Sequence, residues 1–84
     1  QIRLEKISPS QNQFRFYSLS VVLNLFGEWA VVREWGRIGS RGGQSRTEWH
    51  QSQLDALKMA KTIKLNKERR GYVARPMQQI SRSE

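Results

Sequence analysis

The chain has 84 residues, enough for one domain and too few for two, and it contains no cysteine. Disulfides and thiolate metal sites are thereby excluded, and a single histidine, His50, cannot supply the four ligands of a structural zinc. Fifteen Lys and Arg against seven Asp and Glu give a formal net charge of +8, which points to a polyanionic partner, nucleic acid first and an acidic membrane surface second.

A domain of this size buries only about 60–65% of the surface its unfolded chain exposes. Apolar packing must hold the fold, and three Trp, three Phe and two Tyr are available for it. The longest apolar run, Val21-Val22-Leu23 and its neighbours, falls far short of the roughly 20 residues of a spanning helix. No membrane span and no signal peptide are expected, and the default expectation is a cytoplasmic monomer. Gln1 stands where an initiator Met would, as expected of a fragment or a processed chain.

Ile2 to Ile7 alternates apolar and polar residues and predicts a half-buried strand, ended by Ser8-Pro9-Ser10. Arg15 to Leu25 predicts a longer one, with Tyr17, Leu19, Val21, Leu23 and Leu25 on one face and a turn at Phe26-Gly27-Glu28. Trp29 to Ile38, rich in β-branched and aromatic residues, predicts a third. Gly39-Ser40-Arg41-Gly42-Gly43 reads as a hairpin loop leading to a strand over Gln44 to His50. Trp29 and Trp49 suit core positions.

One helix is predicted, opening at Ser52 with a capping-box pattern, Ser52-Gln53-Leu54-Asp55, and stopping near Arg70-Gly71. Ala56, Met59, Ala60 and Ile63 form its apolar stripe, whereas Leu54, Leu57 and Leu65 fall among Lys58, Lys61 and Lys64 on a sector expected to be partly exposed. Tyr72-Val73-Ala74 suits a short last strand. These elements give an α+β domain over residues 1–74, a small antiparallel sheet of four to five strands with one helix packed on it, and a flexible tail over 75–84.

The basic charge is regional. Arg33, Arg37 and Arg41 recur every fourth residue, and between Lys58 and Arg75 seven cations face one acid, Glu68. Within the third strand Trp35 and Arg37 project from one face about 7 Å apart, while Gly36 presents no side chain and permits close approach of backbone or a packed neighbour. An indole beside a guanidinium suits an unstacked base or sugar next to a phosphate, with stacking worth roughly 1–3 kcal/mol per base. Arg33 shares that face and is expected to lengthen the phosphate-binding row. Arg41 lies in the glycine loop, where it and backbone N–H groups could reach phosphate. Lys58, Lys61, Lys64, Arg69 and Arg70 form a candidate secondary basic patch. The glycine spacing matches neither a dinucleotide loop nor a Walker loop, and the acids are too scattered for a two-carboxylate site. No catalytic residue, metal or cofactor is expected.

Trp35-Gly36-Arg37-Ile38-Gly39-Ser40 followed by Gly43-Gln44 resembles the signature of the WGR domain family. Asp55-Ala56-Leu57, Ile63, Lys67 and Gly71-Tyr72 resemble the family's helix and its closing Lys…Gly-Tyr, and Phe16-Tyr17 and Trp29-Ala30-Val31 fit its first hairpin. The resemblance covers roughly residues 2–74. It implies a domain of the kind found in DNA-dependent poly(ADP-ribose) polymerases and in bacterial proteins, one that contacts DNA beside a strand break as in DNA repair. It assigns the nucleotide contact to Trp35 and the backbone or relay contact to Arg37. With no zinc fingers and no polymerase domain in the chain, polymerase activity is not expected. A protein–protein adaptor using the same surface is the alternative, since in the polymerases the domain also touches its neighbours. Two departures from the family stand out. Ala60 replaces a frequent bulky aromatic, so the helix is expected to pack closer or another residue to fill the space. The helix ends in Lys67-Glu68-Arg69-Arg70, which adds positive charge.

Overall fold

A computed structural model describes residues 1–75. Strands β1 (Ile2–Ser8), β2 (Gln13–Leu23), β3 (Trp29–Arg37) and β4 (Gln44–His50) precede a helix, α1 (Gln53–Arg69), and a last strand, β5 (Val73–Arg75). Every neighbouring pair is antiparallel, in the spatial order β4-β3-β2-β1-β5. The α+β architecture with one helix on a five-stranded sheet is therefore present.

The turns follow from local chemistry. Between β1 and β2, Pro9 opens a single 3-10 turn, and Asn12 closes it with φ 52°, a left-handed conformation that asparagine tolerates better than most residues. β2 stops at Leu23, two residues before the expected end. The Asn24 side-chain oxygen accepts hydrogen bonds from the Phe26 and Glu28 N–H groups at 2.8 and 2.9 Å, which makes an Asx turn in place of further strand. Leu25 and Phe26 consequently stand in solvent at the hairpin tip instead of joining a sheet face.

The helix is capped at both ends. The Ser52 hydroxyl accepts from the Asp55 N–H at 3.1 Å, as the capping pattern requires. At the other end the Gly71 and Tyr72 N–H groups donate to the carbonyls of Glu68 and Lys67, both at 3.1 Å, a Schellman motif that returns the chain toward the sheet. β5 then pairs with β1, and Glu5 accepts from both Arg3 and Arg75, at 2.9 and 3.2 Å. Arg75, expected to open the tail, is thus a strand residue; residues 76–84 lie outside the described residues.

Ala56 and Ile63 of α1 form one core cluster with Leu4, Tyr17, Leu19 and Val31 of the sheet, with Met59 packed partly buried beside them, and Ala60 is also buried. Leu54, Leu57 and Leu65 are exposed, as the mixed sector predicts. Trp29 packs against the core, but Trp49 does not: it is 56% exposed on the face away from the helix. Ala60 is itself buried, so most of the space around it is filled. It also lines a cavity of about 400 Å³ between α1 and the sheet. Among the described residues, no helix is long and apolar enough to cross a membrane.

Candidate nucleic-acid interface

Strand register arranges the helix-side face of the sheet in rows running across the strands. Leu4, Tyr17, Trp35 and Gln44 are successive cross-strand partners in one row; Lys6, Arg15 and Arg37 form the next. The helix covers the first of these rows with its last turn. Tyr17 stacks on Trp35 with ring centroids 5.6 Å apart and planes 14° from parallel, and meets Tyr72 edge-on at 6.4 Å. The Lys67 ammonium lies 4.4 Å from the Tyr17 centroid and 5.6 Å from that of Tyr72. Burial, then Arg70 and Arg33, push this ammonium below the ordinary lysine range, and the two rings offset part of that cost. Trp35 is held by this stack, half-buried, from one side.

Beyond the stack a groove of about 650 Å³ opens, lined by Trp35, Gly36, Arg37, Arg15, Gln44 and the Gln11–Gln13 segment. Arg15 and Arg37 are exposed and face each other directly across β2 and β3. Like charges in that position ordinarily repel, and among the described residues the groove lining contains no carboxylate to relieve them. Arg37 is steadied by the Phe14 ring, 5.5 Å from its guanidinium carbon, and by a long hydrogen bond of 3.5 Å to the Asn12 side-chain oxygen. The Gln13 side-chain oxygen is buried and has no partner among the described residues. Chemically, the groove offers an aromatic wall beside a pair of uncompensated guanidinium groups.

The other expected site residues lie as follows. A Cβ at Gly36 would come within 3.3 Å of both the Gly43 Cα and the Phe16 ring, so the missing side chain lets the glycine loop fold against β3. Arg33 shares the face of Trp35, but its guanidinium is engaged: one nitrogen donates to Glu48 at 3.0 Å and another to the Tyr17 hydroxyl at 3.5 Å. Burial works against that charge, yet these two partners hold its pKa above the usual arginine value. The exposed cation beside Arg37 is Arg15, with Lys6 next in the row. Arg41 is exposed in the loop.

The five basic helix residues do not share one face. At about 100° per residue, Lys58 and Arg69 lie on the outer side, Lys61 and Lys64 lie on a flank that borders the sheet near Trp29, and Arg70 ends the helix close to Lys67. Lys64 is further tied to Glu68 at 2.9 Å.

Sequence reasoning did not bring Arg15, Lys6 or the Tyr17 stack into the candidate site, beside which the register places them. The alternation Arg15-Tyr17-Leu19 did place Arg15 on the face of the buried aromatic. Only the strand register, which pairs Arg15 with Arg37, places the two residues side by side.

Together the sheet, its single helix and the basic aromatic groove define a small α+β domain with a basic, aromatic surface groove. The family model described as WGR domain matches residues 1–79, and the chain belongs to that family. WGR domains are small non-catalytic modules that in general bind nucleic acid. Among curated proteins the chain is similar to an uncharacterized protein, y4dW, from Sinorhizobium fredii (strain NBRC 101917 / NGR234), with 36% identity over 76 residues. The match takes in 90% of this chain and 37% of that relative, so the chain spans well under half of the relative's length.

Proposed function

We propose that the domain binds DNA at ends or nicks without reading base sequence, with Trp35 packed on the terminal sugar or base and Arg37 and Arg15 on the flanking phosphates. The observation that supports this most directly is the facing pair Arg15 and Arg37, beside Trp35 and with no carboxylate among the described residues that line the groove. A phosphate between the two guanidinium groups relieves their repulsion with charge-assisted, geometrically specific hydrogen bonds. Intact duplex keeps sugar and base faces stacked away from an indole, so a disrupted terminus is the favoured target. Gly36 allows the loop to form the groove's edge, and Arg41 extends from that loop toward phosphate. Arg33 orients Tyr17, and through it Trp35. Lys58, Lys61 and Arg69 add a diffuse attraction for the polyanion.

The test is a titration of blunt-ended, nicked and covalently closed circular DNA of one sequence over a range of salt concentrations. Log K is expected to fall linearly with log salt, by about 0.9 per phosphate contacted, and both broken DNAs are expected to outcompete the closed circle. Lack of affinity for every one of these DNAs at low salt would overturn the reading and favour a protein adaptor.

A further inference from the structure

The groove at Trp35 leaves the other large concavity unexplained. At the opposite end of the sheet, the cavity of about 400 Å³ under α1 is walled by Leu19, Val21, Trp29, Leu57 and Ala60. Its volume falls within the span of about 300–1,000 Å³ typical of small-molecule sites, which are mostly apolar with a few placed polar groups. The polar groups here are specific in sign. Among the described residues, Lys61 and Lys64 line the cavity, its remaining polar lining is the two glutamines Gln1 and Gln53, and no carboxylate lines it. Lys64 is held by Glu68, whereas Lys61 makes no ion pair among the described residues.

We infer that this cavity is a binding site for a small amphipathic anion, with an apolar body between α1 and the sheet and a carboxylate or sulfonate head at Lys61. A slot bounded by a helix on one side and a sheet on the other admits a slim body, one alkyl chain or one flat ring, more readily than a folded surface. The apolar walls provide the affinity by leaving water. Lys61, on its long apolar stem, reaches the head at the rim. The site is separate from the Trp35 groove: the two share no lining residue.

Octanoate and 1-octanol, each of eight carbons and different in charge, are suitable probes, followed by amide and indole NMR shifts. Octanoate is expected to saturate at one molecule per chain, with shifts confined to Val21, the Trp29 indole, Ala60 and their neighbours. An exposed ion pair is worth at most a few-fold in affinity, so octanoate should bind about two- to fivefold tighter than octanol. Lys61→Gln should abolish that difference. Ala60→Phe should weaken both probes by at least about tenfold, because its ring occupies the volume they need, while DNA binding stays unchanged. If Ala60→Phe does not fold, Leu57→Glu serves instead: it places a carboxylate at the half-exposed rim and should weaken octanoate more than octanol. Shifts that never saturate or that spread over the whole surface would overturn the inference. So would equal binding of both probes by the wild type, or cavity shifts that track protein concentration, which would mean a second copy fills the slot.

Discussion

Gly43→Ala is expected to lower the midpoint of thermal unfolding by about 4–24 °C. Gly43 adopts φ +149°, and a Cβ there would sit 2.6 Å from the Trp35 carbonyl oxygen. Backbone cannot swing aside as a flexible side chain can, so either the loop or β3 must move. A non-glycine residue forced into such a conformation costs about 1–3 kcal/mol. In a domain this small each kcal/mol shifts the midpoint by about 4–8 °C. Gly42 supplies the control. Its φ of +72° also disfavours alanine, but the space around it is open, so Gly42→Ala should cost only about 1–2 kcal/mol. Circular dichroism melts of the two variants check the order. Equal losses would mean that the contact between loop and strand does not matter. Because the carbonyl struck belongs to Trp35, the same substitution should disturb the groove before the domain melts.

Arg15→Gln combined with Arg37→Gln is expected to separate binding from folding. Charge-assisted hydrogen bonds to phosphate contribute about 1.5–3 kcal/mol each, so DNA affinity should fall by about tenfold or more per arginine. The slope of log K against log salt should become shallower by about 1.8 for the pair. Stability should hold or rise slightly, since removing like charges on facing residues relieves about 0.2–1 kcal/mol. Arg33→Gln should do the reverse. It strips Glu48 and the Tyr17 hydroxyl of a half-buried partner, which destabilises the fold by about 1–3 kcal/mol with a small change in salt slope. Denaturant melts and salt titrations on the same preparations read both quantities. If the double variant lost stability and kept its slope, the arginine pair would be structural.

Most of the architecture was legible in the sequence because its signals are local. The alternation of Ile2 to Ile7, the Ser52 cap and the Gly71 stop each depend on a few neighbouring residues, and each element lies within a residue or two of its expected place. The failures are also physical. Leu25 continues the apolar alternation of β2, but the Asn24 side chain takes over the backbone N–H groups of the turn. Trp49 reads as a core residue by composition, yet its strand parity turns it away from the helix. Arg33 and Arg15 carry equal charge in sequence. What distinguishes them is non-local: Glu48 on β4 reaches Arg33, and nothing acidic among the described residues lines the groove at Arg15. Likewise the space left by Ala60 belongs to the helix and the sheet together, and a one-dimensional pattern does not show whether such a space closes.

The family itself was legible in Trp35-Gly36-Arg37 and the residues that follow it. The fold adds the reason these three stand together: the indole is braced by Tyr17, the glycine admits the loop, and the arginine faces a second arginine. The central claim is that the exposed side of Trp35 packs against a broken DNA terminus. It is tested most directly by a chain in which Trp29→Phe and Trp49→Phe leave Trp35 as the sole indole. This chain is titrated with a hairpin duplex carrying one nick and with the same hairpin sealed. Trp35 emission should be quenched saturably by the nicked hairpin, at concentrations where the sealed one leaves it unchanged. Equal quenching by both hairpins, or tight binding of the nicked one with no change at Trp35, would contradict the claim.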